Sequence, residues 1–285
     1  MPRKPFVWKL KARKVALGER TLIMGVLNVT PDSFSDGGKY LDPDRAFARA
    51  IELEEQGADI IDVGAESTRP GSTRVSAAEE LRRLIPVLKR LHGKLTIPIS
   101  VDTYKAEVAE LAITHGAEVI NDPTGLTFDA QIAKTVAQHD AGLILNHMRG
   151  RPETWAKLPP MRDLINSIAR DLEATAHRAR GAGVDRSRIV IDPGIGFGKR
   201  KEQNSEILAR LGRLSQLDLP IMVAPSRKSF LAQQTEEQTR FATAAAVTVA
   251  VMSGAHIVRV HDVAEMRAVL QVVDEVLRNA SSDGN

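Results

Sequence analysis

The chain has no cysteine. That excludes disulfides, thiolate nucleophiles and Cys-based zinc or iron–sulfur sites, and it is compatible with a reducing compartment. Neither sign of charge is in excess: 39 Lys and Arg stand against 36 Asp and Glu, a formal +3. The basic residues form no long blocks, so nothing points to nucleic acid, although a mildly positive field suits an anionic substrate. No apolar run approaches the roughly 18 residues a membrane span needs. In Met1–Leu17 the apolar residues are interrupted by Arg3, Lys4, Lys9, Lys11, Arg13 and Lys14, which leaves no signal-peptide core. The expectation is a cytoplasmic protein with neither a membrane nor a nucleic-acid partner. Linkers and low-complexity tracts are also missing, so residues 1–285 read as one domain, with 1–20 as an N-terminal hairpin extension and 279–285 as a flexible tail.

What is present is a repeat of short apolar runs and amphipathic segments. The runs are Leu22–Leu27, Ile60–Val63, Ile97–Val101, Glu118–Ile120, Leu143–Leu145, Ile189–Ile191, Ile221–Val223 and Ile257–Val260. Helical patterns follow them at Asp44–Gln56, Ala77–Leu91, Lys105–His115, Ala130–His139, Arg162–Arg180, Ser205–Leu214, Phe241–Met252 and Ala264–Arg278. Gly57-Ala58, Gly116-Ala117 and Gly254-Ala255 close three of these helices, where glycine supplies the left-handed cap. Strands this apolar are buried on both faces, as in a parallel sheet. Eight such units predict a single (β/α)₈ barrel of α/β class, although periodicity alone leaves an open sheet as an alternative. Before them, Phe6, Trp8 and Leu10 alternate with Lys9 and Lys11, which predicts a short β-hairpin over one barrel end.

Polar residues collect just past the apolar part of most runs: Asn28, Asp62 with Glu66, Asp102, Asn121 with Asp122, Asn146 with His147, Asp192, Ser226 with Arg227 and Lys228, and Arg259 with His261. Each alone also reads as a helix cap or turn former. In a barrel the carboxyl ends of the strands share one mouth, where active sites are built, so all of them are expected to point into it.

Three loops stand out. Asn28–Gly38 (NVTPDSFSDGG) is long, polar and Gly/Pro-punctuated, and reads as a lid with one aromatic, Phe34. Ala65–Gly71 (AESTRPG) carries Arg69, whose planar fork matches a carboxylate or phosphate, though it reads equally as a solvated loop arginine. Asp192–Lys199 (DPGIGFGK) has three glycines that let backbone approach a flat ligand, and a carboxylate that accepts two N–H donors of a heterocycle; its spacing is not the dinucleotide fingerprint. Ser226–Ser229 and Arg259–His261 place cations after the last two strands, where barrels often bind phosphate.

Taken in order, NVTPDSFSDGG (28–38), ESTRPG (66–71), DPGIGFGK (192–199), SRKSF (226–230) and RVHDV (259–263) resemble dihydropteroate synthase, from about Leu22 to the final helix. The resemblance implies condensation of 6-hydroxymethyl-7,8-dihydropterin diphosphate with para-aminobenzoate in folate biosynthesis, with Mg²⁺ required, in a cytoplasmic homodimer that is a sulfonamide target. It also implies roles. Asp102, Asn121, Asp192 and Lys228 would bind the pterin edge and Arg259 would stack along its ring, with Arg259 and His261 also facing the diphosphate. Asn28 would meet the metal or diphosphate. Thr68, counted with the pterin diphosphate site too, would join Arg69, Pro70, Phe34, Phe197 and Ser229 around the aminobenzoate. Asp36, with Phe34, belongs to the closing loop.

The chain departs from the family pattern at Pro123, Asn146 and Pro225, which bears on pocket geometry while leaving the charged set intact. Three other readings stay open on sequence: a pterin-dependent methyltransferase domain, a catalytically silent pterin-binding homologue, and an aldolase-type barrel using Lys228 as a Schiff base, its pKa lowered by neighbouring Arg227.

Overall fold

The computed structural model describes residues 3–30, 42–66 and 74–282. The alternating N-terminal stretch forms an antiparallel hairpin, β1 (Phe6–Lys9) with β2 (Lys14–Leu17). Parallel strands follow: β3 (Leu22–Asn28), β4 (Ile60–Gly64), β5 (Ile99–Asp102), β6 (Val119–Asp122), β7 (Gly142–Asn146), β8 (Ile189–Asp192), β9 (Met222–Val223) and β10 (Ile257–Val260). Their lateral order is β8-β7-β6-β5-β4-β3-β10-β9. The two edges meet where Ile191 bridges Ile221 and donates its N–H to the Pro220 carbonyl at 3.0 Å. The sheet therefore curls into a barrel, and the open-sheet alternative is excluded.

Two apolar cores result from the period of two along each strand. On β3, Ile23 and Leu27 face outward into the core shared with the helices, while Leu22 and Met24 face inward. The inner core comprises Ile60, Val119, Ile144, Val190, Met222 and Ile257 together with Trp8, Leu10 and Leu17 of the hairpin segment. Trp8 is fully buried and donates from Nε1 to the Arg188 carbonyl at 2.8 Å, beside the start of β8. The hairpin thus plugs the amino end of the barrel and confines polar chemistry to the carboxyl end.

The surrounding helices are α1 (Pro43–Glu55), α2 (Ala77–Leu91), α3 (Ala106–Thr114), α4 (Gln131–Gln138), α5 (Leu164–Gly181), α6 (Lys201–Ala209), α7 (Glu236–Met252) and α8 (Val263–Ser282). Side-chain caps start three of them: Asp42 Oδ1 accepts from Asp44 N at 2.8 Å, Ser76 Oγ from Glu79 N at 3.2 Å and Thr235 Oγ1 from Gln238 N at 3.1 Å. Gly57, Gly116 and Gly254 have φ of +95°, +104° and +104°, as their capping role requires. The helix expected at Ser205–Leu214 instead ends at Ala209 and gives way to a 3₁₀ segment, Leu211–Leu217. The helix expected at Phe241 begins at Glu236 behind the Thr235 cap. The last helix runs on to Ser282, so residues 279–282 of the expected tail are helical.

Candidate active site

Alternation decides which polar residues enter the barrel. Ile60, Val119, Ile144, Val190 and Ile257 are inner-core residues, so Asp62, Asn121, Asn146, Asp192 and Arg259, two positions on, also face inward. On β5 the outward Ile99 and Val101 put Ser100 and Asp102 inside. The expectation that every strand-end polar residue points into the mouth fails for three, because adjacent residues take opposite faces. Asp122 turns outward and ties down the next turn, accepting from Thr124 N and Oγ1 at 2.8 Å each and from Leu126 N at 2.6 Å. His147 Nε2 lies 3.2 Å from Asp171 Oδ2 on α5. Arg227, at φ +57°, pairs with Asp262 at 2.5 Å.

A salt-bridged layer lies across the barrel above the apolar plug. Arg259 donates from Nε to Asp62 Oδ2 at 2.6 Å and from a terminal guanidinium nitrogen to Asp102 Oδ2 at 2.9 Å. Asn121 Nδ2 also donates to Asp62 Oδ2, at 3.1 Å. Burial pushes the Asp102 carboxyl above its usual range, against the pull of Arg259. Burial likewise raises Asp192, whose Oδ1 accepts from Gly194 N at 2.7 Å.

Lys228 completes the ring of polar groups. Its Nζ donates to the Ile195 carbonyl at 2.8 Å and sits 4.1 Å from the centroid of the Phe197 ring, which meets Trp155 edge-on. Burial lowers its pKa to about 8, with Asp192 opposing and Arg259 assisting. Arg227 takes no part, engaged as it is with Asp262. Below that pKa Lys228 is mainly an ammonium, and its Nζ is engaged as a donor to the Ile195 carbonyl. Ser226 Oγ lies 3.0 Å from His261 Nδ1 and accepts from the His261 backbone N–H at 3.2 Å. A hydroxyl that donates to Nδ1 would leave the imidazole Nε2–H as a donor.

The structure thus brings Asp102, Asn121, Asp192, Lys228, Arg259 and His261 to one barrel mouth. Asn28 ends β3 at the same rim, Phe197 borders Lys228, and the exposed Ser229 opens a 3₁₀ turn whose Phe230 is buried. Phe34, Asp36, Thr68, Arg69 and Pro70 lie outside the described residues. A metal would find hard oxygen donors over Gly64: a Cβ there would be 3.8 Å from Asn28 Oδ1 and 3.9 Å from Asp102 Oδ2. Among the described residues no group of three His, Cys, Asp or Glu is placed to hold a metal ion.

The glycines of Asp192–Lys199 serve the protein's own packing. A Cβ on Gly194 would lie 1.9 Å from the His147 carbonyl oxygen, one on Gly198 2.4 Å from that of Arg149, and one on Gly196 3.0 Å from the Lys228 stem. They let the loop lie directly on the exit of β7 and on Lys228, a packing role beside the close approach to a flat ligand expected from sequence. Two elements carried no signal beyond their neighbours in sequence. Lys199 is buried at the end of this loop. Lys105 bridges Glu66 and Glu80, with Tyr104 Oη donating to Glu66 at 2.7 Å.

A parallel barrel with a polar, cation-bearing mouth built from these residues defines a class, and the sequence description of the pterin binding enzyme family matches residues 24–261. The chain belongs to the pterin-binding enzymes. Within them it stands with the dihydropteroate synthases, which are transferases. It is 44% identical over 265 residues to the dihydropteroate synthase of Synechocystis, covering 92% of each chain. Its fold is similar to that enzyme from Clostridium difficile, solved in the presence of pteroic acid (TM-score 0.86, 43% identity, 91% of this chain and 98% of that one). It is equally similar to the Xanthomonas albilineans enzyme solved with 4-aminobenzoic acid (TM-score 0.86, 39% identity, 94% and 97%).

Proposed function

We propose that the chain, as one domain, joins 6-hydroxymethyl-7,8-dihydropterin diphosphate to para-aminobenzoate, giving 7,8-dihydropteroate and pyrophosphate. The observation that carries the reading is the inward-facing set of Asp102, Asn121, Asp192 and Lys228 around Arg259. It offers acceptors and one ammonium donor to a heterocycle edge rich in N–H groups and bearing one carbonyl. Asp192 takes pterin N–H donors and Lys228 donates to the carbonyl side. The planar guanidinium of Arg259, held by Asp62 and Asp102, lies along the ring.

In the reaction the bond from the pterin methylene to the diphosphate oxygen breaks, the electron pair leaves with pyrophosphate, and the aromatic amine attacks the methylene. The amine's proton goes to solvent or phosphate, so no protein nucleophile is needed. Arg259 and His261 Nε2–H stabilise the charge gathering on the leaving group. Asn28 would help to hold Mg²⁺, which would supply further neutralisation of the leaving group's charge. Arg69, Thr68, Pro70, Phe34, Phe197 and Ser229 shape the aminobenzoate side, with Asp36 in the closing loop; positioning contributes more there than base catalysis.

We assign the chain to a cytoplasmic homodimer. Among the described residues no helix is long and apolar enough to cross a membrane. Phe241, Val249 and Met252 on α7 and Val272 and Val276 on α8 are exposed apolar side chains, Phe241 at 69%, and would be covered by a second copy. The binding half of the proposal is tested by calorimetry with pteroic acid. Wild type should bind, and Asp192→Asn should weaken binding by about tenfold or more, because an acceptor for a buried N–H is lost. An unchanged dissociation constant would refute the assignment of Asp192.

A further inference from the structure

The loop from Asp192 to Lys199 ends in a cation whose direct hydrogen-bond partners, among the described residues, are backbone carbonyls and not carboxylates. Lys199 is buried, and its three ammonium hydrogens are matched by three backbone carbonyls: His147 O at 2.7 Å, Pro193 O at 2.9 Å and Gly194 O at 2.7 Å. An ammonium has three donors and no acceptor, so this arrangement saturates it. The three carbonyls converge on one point, as they would around a small monovalent cation.

Those carbonyls belong to the two segments that must stay in register for the site to exist. The parallel ladder continues past β7 and β8 with His147 N donating to Asp192 O at 2.9 Å. Arg149 N reaches Phe197 O at 3.4 Å. Gly194, at φ +70°, is pressed so closely on the His147 carbonyl that no side chain fits. Lys199 Nζ ties the two segments together there, bridging the His147 carbonyl on one side to the Pro193 and Gly194 carbonyls on the other. The same turn delivers Gly194 N to Asp192 Oδ1 at 2.7 Å and Ile195 O to Lys228 Nζ at 2.8 Å. One clamp therefore aims both the carboxylate and the ammonium that face the ligand.

We infer that Lys199 is a positioning residue, a tethered stand-in for a bound monovalent cation, which locks the β7 and β8 exits so that Asp192 and Lys228 are preset for the pterin. Burial pulls the Lys199 pKa well below its usual value and the charges of Asp192 and Asp171 oppose that pull, while the three carbonyls supply the direct contacts that hold the ammonium. The inference rests on the pterin reading of the Asp192–Lys228 pair. Its distinguishing consequence is chemical: removing the side chain leaves an empty three-carbonyl cage of cation size.

The test compares wild type, Lys199→Ala and Lys199→Met by calorimetry with pteroic acid, in ammonium chloride and in tetramethylammonium chloride at equal ionic strength. Both variants should bind about 10- to 100-fold more weakly in tetramethylammonium, the loss expected when charge-assisted hydrogen bonds are removed from buried carbonyls. Ammonium should restore most of the affinity of Lys199→Ala. It should leave wild type and Lys199→Met unchanged, the first because the cage is filled, the second because the thioether stem occupies it. If Lys199→Ala does not stay folded in tetramethylammonium, ammonium should raise its urea midpoint selectively, while wild type shows no such selectivity. Wild-type affinity in Lys199→Ala, or equal effects of the two salts on it, would overturn the role of Lys199 while leaving the pterin reading intact. Failure of wild type to bind pteroic acid would overturn both.

Discussion

Arg259 and Asp62, 197 positions apart in the chain, meet inside the barrel through a 2.6 Å hydrogen bond from Nε to Oδ2. Asp62 is fully buried, so the pair is held without solvent on its carboxylate side, and Asp102 takes the other edge of the guanidinium. Breaking a buried pair by removing one partner costs roughly 3–5 kcal/mol, whereas replacing both with apolar groups costs far less. Asp62→Asn should therefore lower unfolding free energy by about 3 kcal/mol in urea, and Asp62→Leu combined with Arg259→Met should recover part of it. A single substitution costing under about 0.5 kcal/mol, as surface pairs do, would contradict a buried structural bridge.

At the opposite end of the barrel, Trp8 closes the amino end with no exposed surface. Trp8→Ala should destabilise by about 3–5 kcal/mol through lost burial and an unfilled cavity. Pteroic acid affinity, measured where the variant is fully folded, should stay within about twofold of wild type, since distant sites couple weakly. A selective loss of affinity would place the hairpin in the binding machinery.

Lys228 should set an alkaline limb. Folding lowers its pKa to about 8, so the folded chain gives up this proton well before a free lysine would as pH rises. Pterin affinity that depends on the ammonium donor should be full below that value and fall above it, by about tenfold per pH unit at the limit. Lys228→Arg, charged throughout, should bind less well but lose this limb. A wild-type affinity flat to pH 10 would contradict the assignment.

His147 should make acid costly to the fold. Its ring is buried on the outer face of the barrel and meets half-exposed Asp171 as a neutral Nε2–H donor, because burial lowers its pKa to about 2. The unfolded chain then binds more protons below about pH 6.5, so this contribution to stability is complete above that pH and drains away as pH falls toward 2. Wild type should lose about 1.4 kcal/mol per pH unit more than His147→Gln in that window, which urea titrations at several pH values measure. Parallel pH profiles for the two proteins would show that His147 carries a proton in the folded state.

Much of this architecture is visible in the amino-acid pattern. Each strand is a short apolar run, and glycines 57, 116 and 254 mark helix ends that sit where expected. The motifs after the strands locate the mouth, because a parallel barrel leaves strand ends no other destination. What the pattern did not resolve is which of two adjacent polar residues enters. Asn121 and Asp122, or Asn146 and His147, differ only by strand phase, and phase depends on the register of neighbours far away in sequence. The clamp of Lys199 was hidden for a related reason. It depends on the His147 carbonyl brought by another segment, and backbone carbonyls leave no mark in composition.

The central claim is aminobenzoate-dependent transfer at this mouth. The most direct measurement supplies purified protein with 6-hydroxymethyl-7,8-dihydropterin diphosphate, Mg²⁺ and para-aminobenzoate, and follows pyrophosphate release with the product identified by mass. Dihydropteroate formed in equal amount to pyrophosphate, and only when aminobenzoate is present, is the predicted result. No dihydropteroate from protein that still binds pteroic acid would contradict it and leave a pterin-binding barrel without this reaction.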